Sequence, residues 1–176
     1  MKTINAIALA SALSIASGHV YAAAPWLHVT QTVHIQAPAS KVWDAAKNFD
    51  QLNTWLPPVA TDEIVAGQNN TVGAVRLLTL KGGGTVKEKL LAYNPSARTF
   101  RYQIVESVLP VSHYTSIFVV KSRGKGKSTV TWSGRFKRKN EGPSPGDNEN
   151  DKAATDAITG VYEAGLSTLK KNLEGQ

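Results

Sequence analysis

The chain has 176 residues, with 20 Lys and Arg against 13 Asp and Glu, a net charge of +7 and no cysteine. The missing cysteines exclude a disulfide framework and thiolate-based metal or redox sites. The length suits one ordinary domain that buries enough apolar surface to need no staple.

Residues 1–22 read as a signal peptide: Lys2, a short apolar run from Ile4 to Ile15, and small residues around Val20-Tyr21-Ala22 where a signal peptidase cuts. The run is too short to span a bilayer, so the expectation is a periplasmic mature chain, residues 23–176, with no membrane span. Removing Lys2 lowers the net charge to +6 from +7. The remaining excess lies mainly in Arg123, Lys125 and Lys127 and in Lys137, Arg138 and Lys139. These two runs flank one predicted strand and so sit near its opposite ends, which argues against a single nucleic-acid groove; export argues against nucleic acid altogether. They read as solubilising surface charge or as a surface for an acidic protein partner.

The elements follow in order. His28 to Gln36 alternates as a strand. Pro38 and Ser40 open a short helix carrying Val42, Trp43 and Ala46, and Phe49 to Trp55 adds a second helical turn closed by Pro57-Pro58. Asp62 to Ala66 is a short strand. Val72 to Leu80 and Thr85 to Tyr93 form a hairpin about Lys81-Gly82-Gly83-Gly84. Arg98 to Ser107 is the next strand, Leu109-Pro110 breaks it, and Ser112 to Lys121 with Ser128 to Lys137 make the last hairpin. Residues 140–150 are an aperiodic Gly/Pro/Asn/Asp loop. From Ala153 to Leu173 the apolar residues Ala154, Ala157, Ile158, Val161, Leu166, Leu169 and Leu173 share one helical face, with Gly165 beside it permitting close approach to a sheet.

This order predicts an α+β helix-grip fold: a curved antiparallel sheet of about seven strands wrapped on a long C-terminal helix, with two short helices after the first strand. A curved sheet cannot touch a straight helix everywhere, so a gap between them is a natural ligand cavity.

Between Val75 and Phe136 the core-facing phase includes Arg76, Glu88, Tyr102, Glu106, Tyr114 and Trp132. Charge on an inner face demands pairing or a polar pocket, because burying it alone costs several kcal/mol or about that. If Leu80 pairs with Gly84, Arg76 falls directly opposite Glu88, close enough for an ion pair. That pair reads either as a register-fixing bridge or as a polar end offered to a ligand. Tyr102 and Tyr114 can each bury a ring and aim a hydroxyl into the cavity. Ser116 follows Tyr114 on the same face. Trp132 and Phe136 fit the core beneath the helix, Glu106 lies near a strand end and fits solvent, and Trp55 forms either the pocket mouth or an anchor for the short helices. The candidate ligand-binding set is Arg76, Glu88, Tyr102, Tyr114, Ser116, Trp132 and Trp55.

Catalytic signals are poor. His28, His34 and His113 alternate to the outer face, and none has a second ligand at metal spacing. No serine sits in a nucleophile elbow, and the triglycine lacks the Lys-Ser/Thr of a phosphate loop. No metal or cofactor is expected. Glu88 as base with Tyr102 as donor is the one arrangement suited to proton transfer.

The stretch from Gly73-Ala74-Val75-Arg76 through Glu88-Lys89-Leu90, Tyr102, Leu109-Pro110-Val111 and Tyr114, with Val130 to Phe136, resembles the START-like, Bet v 1-like or polyketide cyclase/dehydrase helix-grip proteins. The resemblance implies the fold strongly and the activity weakly, since these proteins include lipid carriers, receptors, cyclases and accessory proteins. An exported single-domain form is similar to the small periplasmic accessory proteins of bacterial methanol oxidation, which implies a periplasmic redox partner, such as the methanol dehydrogenase/cytochrome system, bound through Lys125, Lys127 or Arg138. Glu88 and Tyr114 stand where the plant abscisic-acid receptors carry pocket-lining groups. The Gly-rich turn in place of their gate loop, and the lack of a lysine in the strand from Asp62 to Ala66, argue against such a ligand. The expected function is non-catalytic binding of a small hydrophobic or amphipathic molecule; the alternatives are the accessory role and a cyclase or hydratase-like enzyme using Glu88.

Overall fold

A computed structural model describes residues 23–175, so the signal-peptide expectation lies outside the described residues. The elements are β1 (Leu27–Ile35), α1 (Ala39–Ala46), a 3-10 turn (Leu52–Thr54), β2 (Val59–Ala66), β3 (Val75–Leu80), β4 (Thr85–Asn94), β5 (Thr99–Ser107), β6 (Val111–Ser122), β7 (Ser128–Arg138) and α2 (Asp151–Glu174). The strands form one seven-stranded antiparallel sheet in the order β1-β7-β6-β5-β4-β3-β2. This is the expected helix-grip architecture. Two boundaries differ: β2 starts earlier, at Val59, and β3 starts later, at Val75, because Gly73 sits at φ +95° in the preceding turn.

Register irregularities on β2, between β4 and β5, and in β6 near Ser112 to Thr115 bend the sheet. α2 lies along the β1–β7 side. Lys170 Nζ donates to His34 O (2.6 Å), and Glu174 accepts from the Gln36 N–H (2.7 Å). The helix starts at an Asn150 cap, whose side chain accepts from the Ala153 N–H (2.8 Å). The aperiodic loop before it is organised by Arg138, which donates to Asn140 O, Gly142 O and Asp151 Oδ1 at 2.7–2.9 Å. Arg138 is only 8% exposed, so the reading of it as a surface docking charge is corrected: its valences are directed inward. Lys125 and Lys127 are exposed as expected.

α2 lies on β1 and β7, Trp43 of α1 packs on Tyr93 and Phe100, Phe49 packs on Phe100 and Tyr102, and the gap stays open between α2 and the segment around the 3-10 turn. Close approach on the helix side depends on two glycines. A Cβ on Gly165 would lie 3.0–3.1 Å from Trp132, Leu56 and Trp55. A Cβ on Gly134 would lie 2.5 Å from the Tyr162 hydroxyl. Gly134→Ala is therefore expected to destabilise the fold by about 1–3 kcal/mol through overpacking. Adding Tyr162→Phe removes the clashing oxygen and recovers part of that loss. Urea unfolding of the two single variants and the double variant checks this; strictly additive losses would contradict the clash.

Candidate functional site

The hairpin register is the one read from the sequence: Leu80 N–H donates to Gly84 O, Leu78 pairs with Val86, and Arg76 with Glu88. Arg76 Nε and Nη2 both donate to Glu88 Oε2, at 2.7 and 2.6 Å. Its Nη1 donates to Phe49 O (2.6 Å) and reaches Asp62 Oδ2 (3.3 Å). The guanidinium lies 4.1 Å from the Phe49 ring centroid and 5.4 Å from that of Tyr102.

Asp62 was not among the residues singled out from sequence. The register shift between Val59 and Thr61 turns it inward, and its side chain is fully covered. Oδ2 also accepts from the Leu52 N–H (2.8 Å), fixing the start of the 3-10 turn, while Oδ1 is buried without a partner. One guanidinium thus serves two buried carboxyls. Burial outweighs its pull and raises both Asp62 and Glu88 above the ordinary carboxylate range, while the two carboxylates hold Arg76 charged.

A second polar group lies deeper. Trp132 Nε1 donates to Tyr102 Oη and Ser116 Oγ, both at 3.0 Å. Ser116 Oγ donates to Ser133 O (2.9 Å), so in its 3.0 Å contact with Tyr162 the tyrosine is the donor. Tyr162 in turn accepts from Tyr114 at 2.5 Å, leaving the weak 3.4 Å contact between Tyr102 and Tyr114 as the end of the chain. Burial raises all three phenols, so they stay protonated. Tyr162, stacked on Trp132 at 4.3 Å, was also missed. The signal was present: it lies four residues from both Ile158 and Leu166 on the buried face of α2.

Between these groups is a cavity of about 110 Å³, walled by Leu and Val side chains of the 3-10 turn, β2, β3 and β4 and by Ile158 and Val161 of α2. Glu88, Tyr102, Tyr114 and Trp132 line it. Arg76 stands behind Glu88, Ser116 is held in the hydroxyl chain, and neither lines the cavity. Trp55 is 3% exposed and packs on Trp132 and Phe118 at 5.3 and 5.6 Å; it anchors the core and does not form a mouth. Glu106, placed in the core-facing phase by alternation alone, is exposed and pairs with Lys87 (3.1 Å), because the shift between Lys87 and Glu88 breaks that phase.

Both Arg76 contacts land on Oε2 of Glu88. Oε1 accepts no hydrogen bond among the described residues, and the side chain borders the cavity. The site therefore offers an acceptor, Glu88 Oε1, and a loosely held donor, Tyr102 Oη, at one end of an apolar chamber.

Removing the guanidinium leaves two buried carboxyls without a counter-charge. Arg76→Met is expected to cost about 3–5 kcal/mol near neutral pH. The folded-state pKa values of both acids are raised, so their stabilising effect is present below the unfolded value of about 4 and is lost as pH rises through the folded values. The deficit of Arg76→Met should therefore shrink from about pH 8 to about pH 5 in denaturation midpoints. A deficit independent of pH would contradict the assignment.

The family described as polyketide cyclase / dehydrase and lipid transport matches residues 27–174. Among curated proteins there is no match. The structure of XoxI from Bacillus cereus superposes with TM-score 0.73 at 28% identity, covering 84% of this chain and 95% of that one. The Zhui aromatase/cyclase from Streptomyces sp. R1128 gives 0.67 at 20%, covering 85% and 94%, and Ara h 8.0201 gives 0.67 at 18%, covering 86% and 100%. The last two likenesses concern the fold alone. By the match over nearly all its described length, the chain belongs to the polyketide cyclase/dehydrase and lipid transport family of the Bet v 1-like helix-grip superfamily.

Proposed function

We propose that this protein is an exported, periplasmic binding protein that holds a small, partly apolar molecule between the sheet and α2 without transforming it. The observation that carries this is the unpaired Glu88 Oε1 at the wall of an otherwise apolar cavity. Unlike Asp62 Oδ1, that oxygen is not sealed in the core, so a ligand group entering the cavity can donate to it. A hydroxyl fits best, since it donates to Glu88 and accepts from Tyr102. The volume, about 110 Å³, suits a single six-membered ring, given that dry cavities of about 150 Å³ take benzene.

Phenol titrated by calorimetry tests the chemistry, with benzene as the apolar control. Phenol is expected to bind more tightly than benzene, and Glu88→Gln to weaken phenol by about tenfold, a difference of about 1.4 kcal/mol. The variant keeps the fold, because Arg76 still faces Asp62 and the cluster becomes neutral. Equal affinity of wild type and variant for phenol would reject the role of Glu88. Native mass spectrometry of protein taken from its own periplasm tests the rest: the expected mass starts at Ala23 and carries a stoichiometric small molecule. Recovery of the chain from the cytoplasmic fraction with residues 1–22 retained would reject export.

A further inference from the structure

β5 and β6 are joined by only residues 108–110, yet they pair only over Thr99 to Gln103 and Thr115 to Val119. Beyond that, residues 104–107 stay on β4 and residues 111–114 follow β7, and the two strands part. Irregularities sit on both sides of the split, opposite Val105 and at His113, whose φ is +51°. The result is an eyelet in the sheet. On its outer side runs a groove of about 490 Å³ lined by Trp26, Gln103, Val105, His113 and Thr115. Ile104 and Tyr114 line both this groove and the inner cavity. These two side chains are thus a shared wall between inside and outside.

The outer rim is equipped to hold an amphiphile. Trp26 and Val105 are 42% and 55% exposed. Arg135 lies 3.5 Å from the Trp26 ring and has no acidic partner among the described residues, whereas His113 and Lys137 both face Glu141, at 3.0 and 2.6 Å. One cation on the rim is therefore free for an anion, above an aromatic shelf.

Resting on the cavity-binding reading above, we propose that the eyelet is a lateral portal: the end of an unbranched acyl chain threads between Ile104 and Tyr114 into the apolar part of the cavity, beside the hydroxyl site at Glu88, while its carboxylate and the adjoining carbons stay outside on Arg135 and Trp26. A slot between two parted strands suits the end of an unbranched chain, and Ile104 is half-buried and unconstrained by a β5–β6 ladder, so a rotamer change opens it. Tyr114 stays put, held by Tyr162.

Decanoate and decanol, titrated into wild type, Arg135→Glu and Ile104→Phe, test this, with phenol as the reporter of the cavity itself. Decanoate is expected to lose about tenfold in affinity with Arg135→Glu while decanol does not, and Ile104→Phe is expected to slow decanoate association by about the same factor. Independently of any variant, decanoate bearing a nitroxide next to its carboxylate should broaden the Trp26 indole N–H resonance. Broadening at Gly82 to Gly84 instead, or an equal response of acid and alcohol to Arg135→Glu, would overturn the portal. Phenol binding without decanoate binding would overturn it and leave the cavity reading standing; failure of phenol alone would count against the cavity reading.

Discussion

The buried Arg76 guanidinium is the constraint on which the rest of this structure depends. Through Glu88 it fixes the β3–β4 register, through Asp62 it joins β2, and through Phe49 O it holds the chain leading from α1 into the 3-10 turn. The chain after α1 is thereby held against the inner face, with Phe49 packed on Phe100 and Tyr102 of β5. A neutral side chain of similar volume would fill the space but leave Glu88 Oε2 and Phe49 O unpaired and Asp62 without a counter-charge, and the segment after α1 would have no fixed seat. The cluster has one more carboxyl than cation: Glu88 takes the two short Arg76 contacts and keeps Oε1 toward the cavity, while Asp62 takes the longer one and keeps a buried Oδ1 without a partner.

The hydroxyl chain plays a complementary part. Tyr102, Tyr114, Ser116 and Trp132 come from three adjacent strands, and Tyr162 closes the chain from α2. Gly134 makes this possible by leaving the volume that the Tyr162 hydroxyl occupies. The proton order runs toward Ser133 O, so the network is satisfied at the helix end and loosest at Tyr102. Glu88 Oε1 and the loosely held Tyr102 Oη both border the same chamber, whereas Asp62 Oδ1 and Trp55 Nε1 are left unpaired away from it. Fully satisfied networks rigidify and specify a core.

Much of this was legible in the sequence because hairpin register follows from turn length. Counting back from Gly84 to Leu80 sufficed to oppose Arg76 and Glu88, and period-two alternation then put Tyr102, Tyr114, Ser116 and Trp132 on the inner face. The same alternation failed where the strands are irregular. Strict counting placed Glu106 in the inner phase because a bulge is invisible to it, although its position near a strand end gave the solvent-facing reading that holds. The same counting passed over Asp62, where the shift between Val59 and Thr61 resets the phase. Arg138 looked like one of three surface cations in a run; only the loop's carbonyls, which have no sequence signature, show where its guanidinium goes. Trp55 next to two prolines suited a mouth equally well as a core anchor, and the choice rested on Phe118 and Trp132, distant in sequence.

The irregularities that defeated the count are also what give the sheet its openings. A regular seven-stranded sheet twisted around a helix would seal its inner face except at the ends. Here β5 carries a bulge against β4 at Val105 and β6 one against β7 between Ser112 and Thr115, so the β5 segment after Gln103 follows β4 while the start of β6 follows β7. Curvature taken up at these points separates the two strands instead of straining their hydrogen bonds, since backbone groups at a bulge are already out of register. The same residues therefore bend the sheet around the cavity and thin its wall, and the free cation of Arg135 stands beside the thinnest part.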